Sequence, residues 1–156
     1  MRFIIGLFLG VILSAGLGFI TLKTKASDMM FLEHQSPYGY KDTVEKVKQS
    51  FLDNKWSVMS VKDSSASFVK KGKDPIGKLT NMKVCAGKYA YALLKDDVNK
   101  HIASMMPCGV AIYEKEGKVY VSTMNLLLMQ NLFSGETQKI MKKVADDTSR
   151  IMEVLN

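Results

Sequence analysis

The stretch Val110-Ala111-Ile112-Tyr113-Glu114-Lys115-Glu116-Gly117-Lys118-Val119-Tyr120-Val121-Ser122-Thr123, VAIYEKEGKVYVST, decides the fold class. Two runs rich in β-branched and aromatic residues flank a polar centre that contains a glycine. Strands favour those residue types, and glycine supplies the positive backbone angle that tight reversals need. The stretch predicts a hairpin of Val110–Glu114 against Lys118–Thr123 around Lys115-Glu116-Gly117.

Upstream, Phe31–Gln35 reads as a strand stopped by Ser36-Pro37-Tyr38-Gly39. Tyr40–Asn54 then reads as a helix, because Val44, Val47, Phe51 and Leu52 recur at helical spacing. Trp56–Lys62 alternates apolar and other residues, as a strand does. Ser64–Thr80 reads as a polar loop with Pro75 and Gly77, interrupted by a short strand around Ala66–Lys70. Lys83–Lys88 is the next predicted strand and Tyr89–Val98 the next helix. Downstream of the hairpin comes a short, very apolar segment, Leu126–Phe133. The last helix is predicted over Gly135–Leu155, capped by Ser134, with Ile140, Met141, Val144, Ile151, Met152 and Leu155 as its buried stripe. Strands and helices do not alternate as in parallel-sheet folds. The reading is an α+β domain with an antiparallel sheet and helices packed on one face.

The N-terminal part has a different character. Phe3 to Leu22, FIIGLFLGVILSAGLGFITL, carries no charge over twenty residues, the length a helix needs to span a bilayer. A secretory signal has a similar plan but a shorter apolar core, and Thr24-Lys25-Ala26 is a poor cleavage site. Residues 1–22 therefore read as a transmembrane anchor or uncleaved signal, residues 23–29 as a tether, and residues 30–156 as a single α+β domain. Gly6, Gly10, Ser14 and Gly18 recur every fourth position, which places small residues on one helix face where another helix can approach closely. Arg2 on one side and Lys23 and Lys25 on the other leave the positive-inside rule without a bias. Two cysteines in the domain favour an oxidising compartment, so the domain is expected on the periplasmic or extracytoplasmic side.

The formal net charge is +7, with lysines scattered along the chain. The densest run, Lys70-Lys71-Gly72-Lys73, has no interleaved aromatics and reads as a solvated loop rather than a nucleic-acid site. The expected partners are the membrane, a second copy of the chain or a larger membrane complex, and no nucleic acid.

Four features resemble the family called domain of unknown function 302. Ser36-Pro37-Tyr38-Gly39-Tyr40 leads into Thr43-Val44-Glu45-Lys46-Val47; Cys85 ends a strand before a helix; Pro107-Cys108 opens the hairpin; and an amphipathic helix closes the chain. The resemblance covers about residues 31–155. It implies a compact α+β domain, with a dimer as one arrangement, and it implies no reaction. The family often has Asn-Pro after its first cysteine and Asp-Pro after the hairpin. Here Ala86-Gly87 and Asn125-Leu126 stand in those places, so no role of those polar positions carries over.

Three readings of Cys85 and Cys108 remain open from the residues. They can form a disulfide or redox pair, sit as inert buried thiols, or hold a soft metal or a haem. Met105, Met106 and His101 would complete a soft-metal set with the two cysteines, and thiolates with thioethers select Cu(I). The spacing matches no zinc pattern. No phosphate loop, nucleophile elbow, zinc-protease helix or Rossmann fingerprint occurs. Leu126, Leu127, Met129, Leu132 and Phe133 are too uniformly apolar for one buried stripe, and they read as a dimer interface, a lipid contact or the lid of a ligand pocket. The leading expectation is a membrane-anchored, non-enzymatic domain that binds a partner or small ligand. The alternative is a redox, soft-metal or haem protein that uses Cys85 and Cys108.

Overall fold

The computed structural model describes residues 29–156. The predicted anchor and the Gly6/Gly10/Ser14/Gly18 face lie outside the described residues. Among the described residues, no helix is long and apolar enough to cross a membrane.

The chain forms β1 (Phe31–Ser36), α1 (Tyr40–Asp53), β2 (Ser57–Asp63), α2 (Ser64–Val69), β3 (Leu79–Cys85) and α3 (Gly87–Leu94). A 3-10 segment, Asp97–Met105, leads to β4 (Cys108–Lys115) and β5 (Lys118–Met124). Then come the short α4 (Leu126–Met129), a 3-10 turn (Gln130–Leu132), the long α5 (Gly135–Met152) and a last 3-10 turn (Glu153–Leu155). The five strands make one antiparallel sheet in the order β1-β5-β4-β3-β2. This is the α+β architecture that the element order predicts.

The predicted hairpin lies at the centre of the sheet. Lys115 faces Lys118 across a two-residue turn, and both turn residues have positive φ, 54° at Glu116 and 74° at Gly117. Such a turn matches the twist of the strands it joins. Side chains then alternate across the pleat. Val110 and Ile112 on β4, Val119, Val121 and Thr123 on β5, and Thr80, Met82 and Val84 on β3 are all buried. Against this face lie Val47 and Phe51 of α1 and Ile140, Met141, Val144 and Ile151 of α5. The two long helices also meet directly, where the Ser50 hydroxyl donates to the Ile151 carbonyl at 2.8 Å.

Three predicted elements differ. The third strand runs over Leu79–Cys85 rather than Lys83–Lys88. Its inward residue Thr80 is polar and looks like loop, but its hydroxyl is paired with the Tyr40 hydroxyl at 2.7 Å and buried. Ser64–Val69 is a helix rather than loop with a short strand, because the Asp63 carboxylate accepts from the Ala66 N–H at its start. The helix predicted over Tyr89–Val98 starts earlier and ends at Leu94, and the tighter 3-10 segment follows. Ser134 precedes α5 as expected, but its side chain makes no capping bond.

The end of α1 positions a residue that matters later. The Trp56 N–H reaches the Phe51 carbonyl and the Lys55 N–H the Leu52 carbonyl, each at 2.9 Å. This is a Schellman closure, and its usual apolar contact is present as Phe51 against Trp56, edge to face with ring centres 5.5 Å apart. The left-handed residue of the motif is Lys55, with φ 62°, where glycine is the residue without a steric penalty. Lys55 is exposed. Lys55→Gly is therefore expected to stabilise the domain by about 0.5–1 kcal/mol, read as a higher urea midpoint at unchanged slope. A lower midpoint would show that Lys55 contributes something other than strain.

Candidate functional site

A cavity of about 60 Å³ opens between the sheet and the helices. Its floor comes from the β3 end and β4 start, with Val84, Cys85, Cys108 and Val110. Its walls come from Ala86 and Tyr89 at the start of α3, Ile102, Met105 and Met106 of the 3-10 segment, and Met141 and Val144 of α5. Trp56 and Phe51 close one side, and Thr123, Met124 and Leu126 the other. The lining is almost wholly apolar and contains the sulfurs of two cysteines and four methionines.

Trp56 is held there by packing on both sides. Phe51 meets one edge through the helix closure, and Tyr89 packs on it with ring centres 6.5 Å apart. Tyr89 is itself fixed, because its hydroxyl donates to Asp147 Oδ2 at 2.7 Å. Asp147 is buried on α5. Burial alone would raise its pKa, but the Tyr89 hydroxyl, Lys88 and Arg150 outweigh that and hold the carboxyl below its ordinary range. Lys88 and Arg150 reach it at 3.3 and 2.5 Å. This charged group clamps α3 to α5 and so keeps the cavity wall in place.

Of the sequence-predicted site residues, the structure brings Cys85, Cys108, Met105 and Met106 to this one cavity. The strand register sets Cys108 opposite Val84, with Cys85 one residue farther along. Neighbouring residues of a regular strand point to opposite faces, and Cys108 shares the inward parity of Val110 and Ile112. Both cysteines are free and half-buried. The two cysteines are unbonded in this structure, and they stand diagonally across β3 and β4. His101 is not part of the lining. It is exposed, and its Nδ1 lies 3.0 Å from the Val98 carbonyl. No group of three or more His, Cys, Asp or Glu side chains among the described residues is placed to hold a metal.

The Leu126–Phe133 segment divides. Leu126 is buried in the cavity wall, and Met129 and Phe133 pack on the core. Leu127, Leu128 and Leu132 are exposed, at 41%, 37% and 78%. Asn125 ties them to the entry of the chain, its N–H bonded to the Met30 carbonyl and its Nδ2 to the Met29 carbonyl. Met29, Met30 and Phe31 are exposed as well, so an apolar surface lies where the predicted tether joins the domain.

Sequence reasoning missed Trp56, Tyr89 and Thr123 as lining residues. Trp56 is the chain's one tryptophan, and its place after a helix end was the only signal available. Thr123 gives none, being one hydroxyl in a strand.

Residues 32–155 match the family described as domain of unknown function DUF302. The chain belongs to this family. No curated protein matches it. Among solved structures it is similar to an uncharacterized conserved DUF302 protein from Bacillus stearothermophilus, at 15% identity and a TM-score of 0.73. That match covers 82% of this chain and 99% of the other, and at such identity it shows a shared DUF302 fold alone.

The chemistry of Cys108 follows from its place. Burial pushes the thiol up from its ordinary value, and the neighbouring Cys85 adds to this against a smaller opposing effect of Lys83. Reactive cysteines need the thiolate, and here the thiol form is favoured. Its pKa in the unfolded chain is about 8.5. Folding therefore holds a proton that the unfolded chain releases. The stabilising contribution is whole below that pH and is lost as pH rises through the folded value. Alkylation of Cys108 in the folded protein is expected to rise only above the pH range of an ordinary thiol, and Cys85→Ser should leave most of that displacement. An ordinary pH profile would refute it. Protection of both cysteines by added Cu(I) in the same experiment would instead support a soft-metal site.

Proposed function

We propose that this chain is a membrane-tethered, non-enzymatic binding domain on the outer side of the membrane, and that its cavity holds a small apolar ligand. The cavity between the sheet and α3 and α5 carries this reading. Ligand sites are mostly apolar concavities with a few polar groups, and this one draws its lining from strands, helices and the 3-10 segment alike. Its size limits the ligand, or the part of it that enters, to about two water-sized groups. A haem is far larger than that. The tether reading rests on the uncharged run Phe3–Leu22. It gains support from the exposed Phe31, Leu127, Leu128 and Leu132 at the end of the domain where the chain arrives, an apolar surface suited to lie on lipid.

Two measurements test the reading. A small hydrocarbon titrated into the protein should shift the methyl NMR signals of Met105, Met106 and Met141, and Val144→Phe, which fills the cavity, should abolish those shifts in a variant that still unfolds cooperatively. Shifts confined to exposed methyls such as Met59 would sink the ligand proposal. Intact-mass analysis of the chain taken from membranes should show residues 1–22 retained. A mature start at Ser27 would refute the anchor.

A further inference from the structure

Six large apolar side chains are exposed in two segments that hydrogen bonds tie together. Met29, Met30 and Phe31 stand where the chain enters β1, and Leu127, Leu128 and Leu132 follow β5. Phe31 pairs with Met124 at the end of the β1–β5 ladder. Asn125 then donates its N–H to the Met30 carbonyl at 2.8 Å and its Nδ2 to the Met29 carbonyl at 2.9 Å, and its Oδ1 accepts from the Leu128 N–H at 3.0 Å. Leu128 and Leu132 are four positions apart in one helical run, and residues so spaced share a side. No charged residue occurs in Met29–Leu32 or from Val119 to Gly135. Singly exposed apolar residues are ordinary, but an uncharged set joined in this way marks a contact surface.

The chain that enters there sets what the surface meets. Six residues, Lys23–Asp28, separate the uncharged run Phe3–Leu22 from Met29, and fully extended they reach at most about 20 Å. A domain of this size has a radius of gyration of roughly 14 Å, so the tether is shorter than the domain is wide. The surface around Met29 is therefore confined close to the bilayer that Phe3–Leu22 spans in the anchor reading, on which this inference rests. Such confinement raises the effective concentration of lipid, so even a weak apolar affinity is engaged. Lys23 and Lys25 add attraction to anionic headgroups. We infer that Met29, Met30, Phe31, Leu127, Leu128 and Leu132 form a lipid-docking face that sits in the interface of that bilayer and holds the domain in one orientation. The register gives the orientation. The start of β1 and the end of β5 lie at the same end of the sheet as Cys108 and Cys85, while the Glu116–Gly117 turn and the connection from β2 to β3 lie at the other. Docking turns the cavity end toward lipid and the Lys70–Lys73 loop away from it.

The full chain in phosphatidylcholine–phosphatidylglycerol bilayer discs tests it, with a nitroxide on the lipid acyl chain just below the headgroup. A docked apolar face lies about 5–10 Å into the headgroup–acyl boundary, where this label sits, whereas a domain that only hangs on its tether stays in water. Methyl NMR signals of Leu127, Leu128 and Leu132 are expected to broaden severalfold more than those of Val69 and Ile76, which are exposed at the far end. Leu132→Asp, alone and with Leu128→Asp, puts charge on the docking face and leaves core and tether intact. The difference should shrink in the single variant and vanish in the double one, with thermal unfolding confirming the fold. An undiminished difference in the folded double variant overturns the docking face. Equal broadening in the wild type, or broadening led by Val69 and Ile76, overturns it too, while retention of the chain in the discs upholds the anchor. Leucine signals untouched by the label but shifted as more copies are loaded per disc would assign the face to a second copy, and overturn lipid docking. A chain that washes off the discs refutes the anchor and this inference together.

Discussion

The two-residue turn at Glu116–Gly117 is the constraint on which the sheet depends. Its positive φ values bring Lys115 opposite Lys118 and start the ladder that sets Ile112 against Val121 and Val110 against Thr123. The hairpin is central, so β1 adds to β5 and β3 to β4, each taking its register from it. A slip of one residue would carry Val110, Ile112, Val119 and Val121 from the core to the open face. The apolar burial of each is worth about 1.5–3 kcal/mol, so the turn and the core specify the same register.

That register also fixes the chemistry at the cavity. Cys108 begins β4 with inward parity, opposite Val84, and Cys85 ends β3 one step beyond. The cysteines approach each other without being presented as a facing pair. What they contribute to the cavity is polarisable apolar surface, continuous with Met105 and Met106. The ionic chemistry lies outside, in the Asp147 cluster with Tyr89, Lys88 and Arg150. There it fastens two helices and leaves the interior nearly free of charge.

Where a segment's own pattern matched its final environment, the sequence was readable. The hairpin, α1 and α5 show their periodicity locally, and both cysteines and the two methionines beside Pro107 stood out by type. The early part of β3 was hidden because Thr80 occupies an inward position, and its partner, the Tyr40 hydroxyl, lies forty residues away. Helix α2 was hidden because the Asp63 cap acts over only six residues of weak pattern. The cavity had no local signature at all. Trp56 and Thr123 are separated by sixty-seven positions in the chain, and only the sheet order and the α1 closure bring them to one space. His101 shows the converse: its type suggested a ligand, but the 3-10 segment turns it outward.

Trp56 Nε1 and Thr123 Oγ1 are buried without a partner among the described residues, and each sets a cost against the stability of the domain. Each buried polar group left without a partner costs about 1–3 kcal/mol, in a domain whose whole stability is of order 5–15 kcal/mol. Elsewhere the interior pairs its polar groups closely: Ser36 with Thr43 at 2.7 Å, Tyr40 with Thr80 at 2.7 Å, Tyr89 with Asp147 at 2.7 Å. Against that standard the two unpaired atoms are local costs, held in place by the packing of Phe51 and Tyr89 around Trp56 and by the β4–β5 ladder at Thr123.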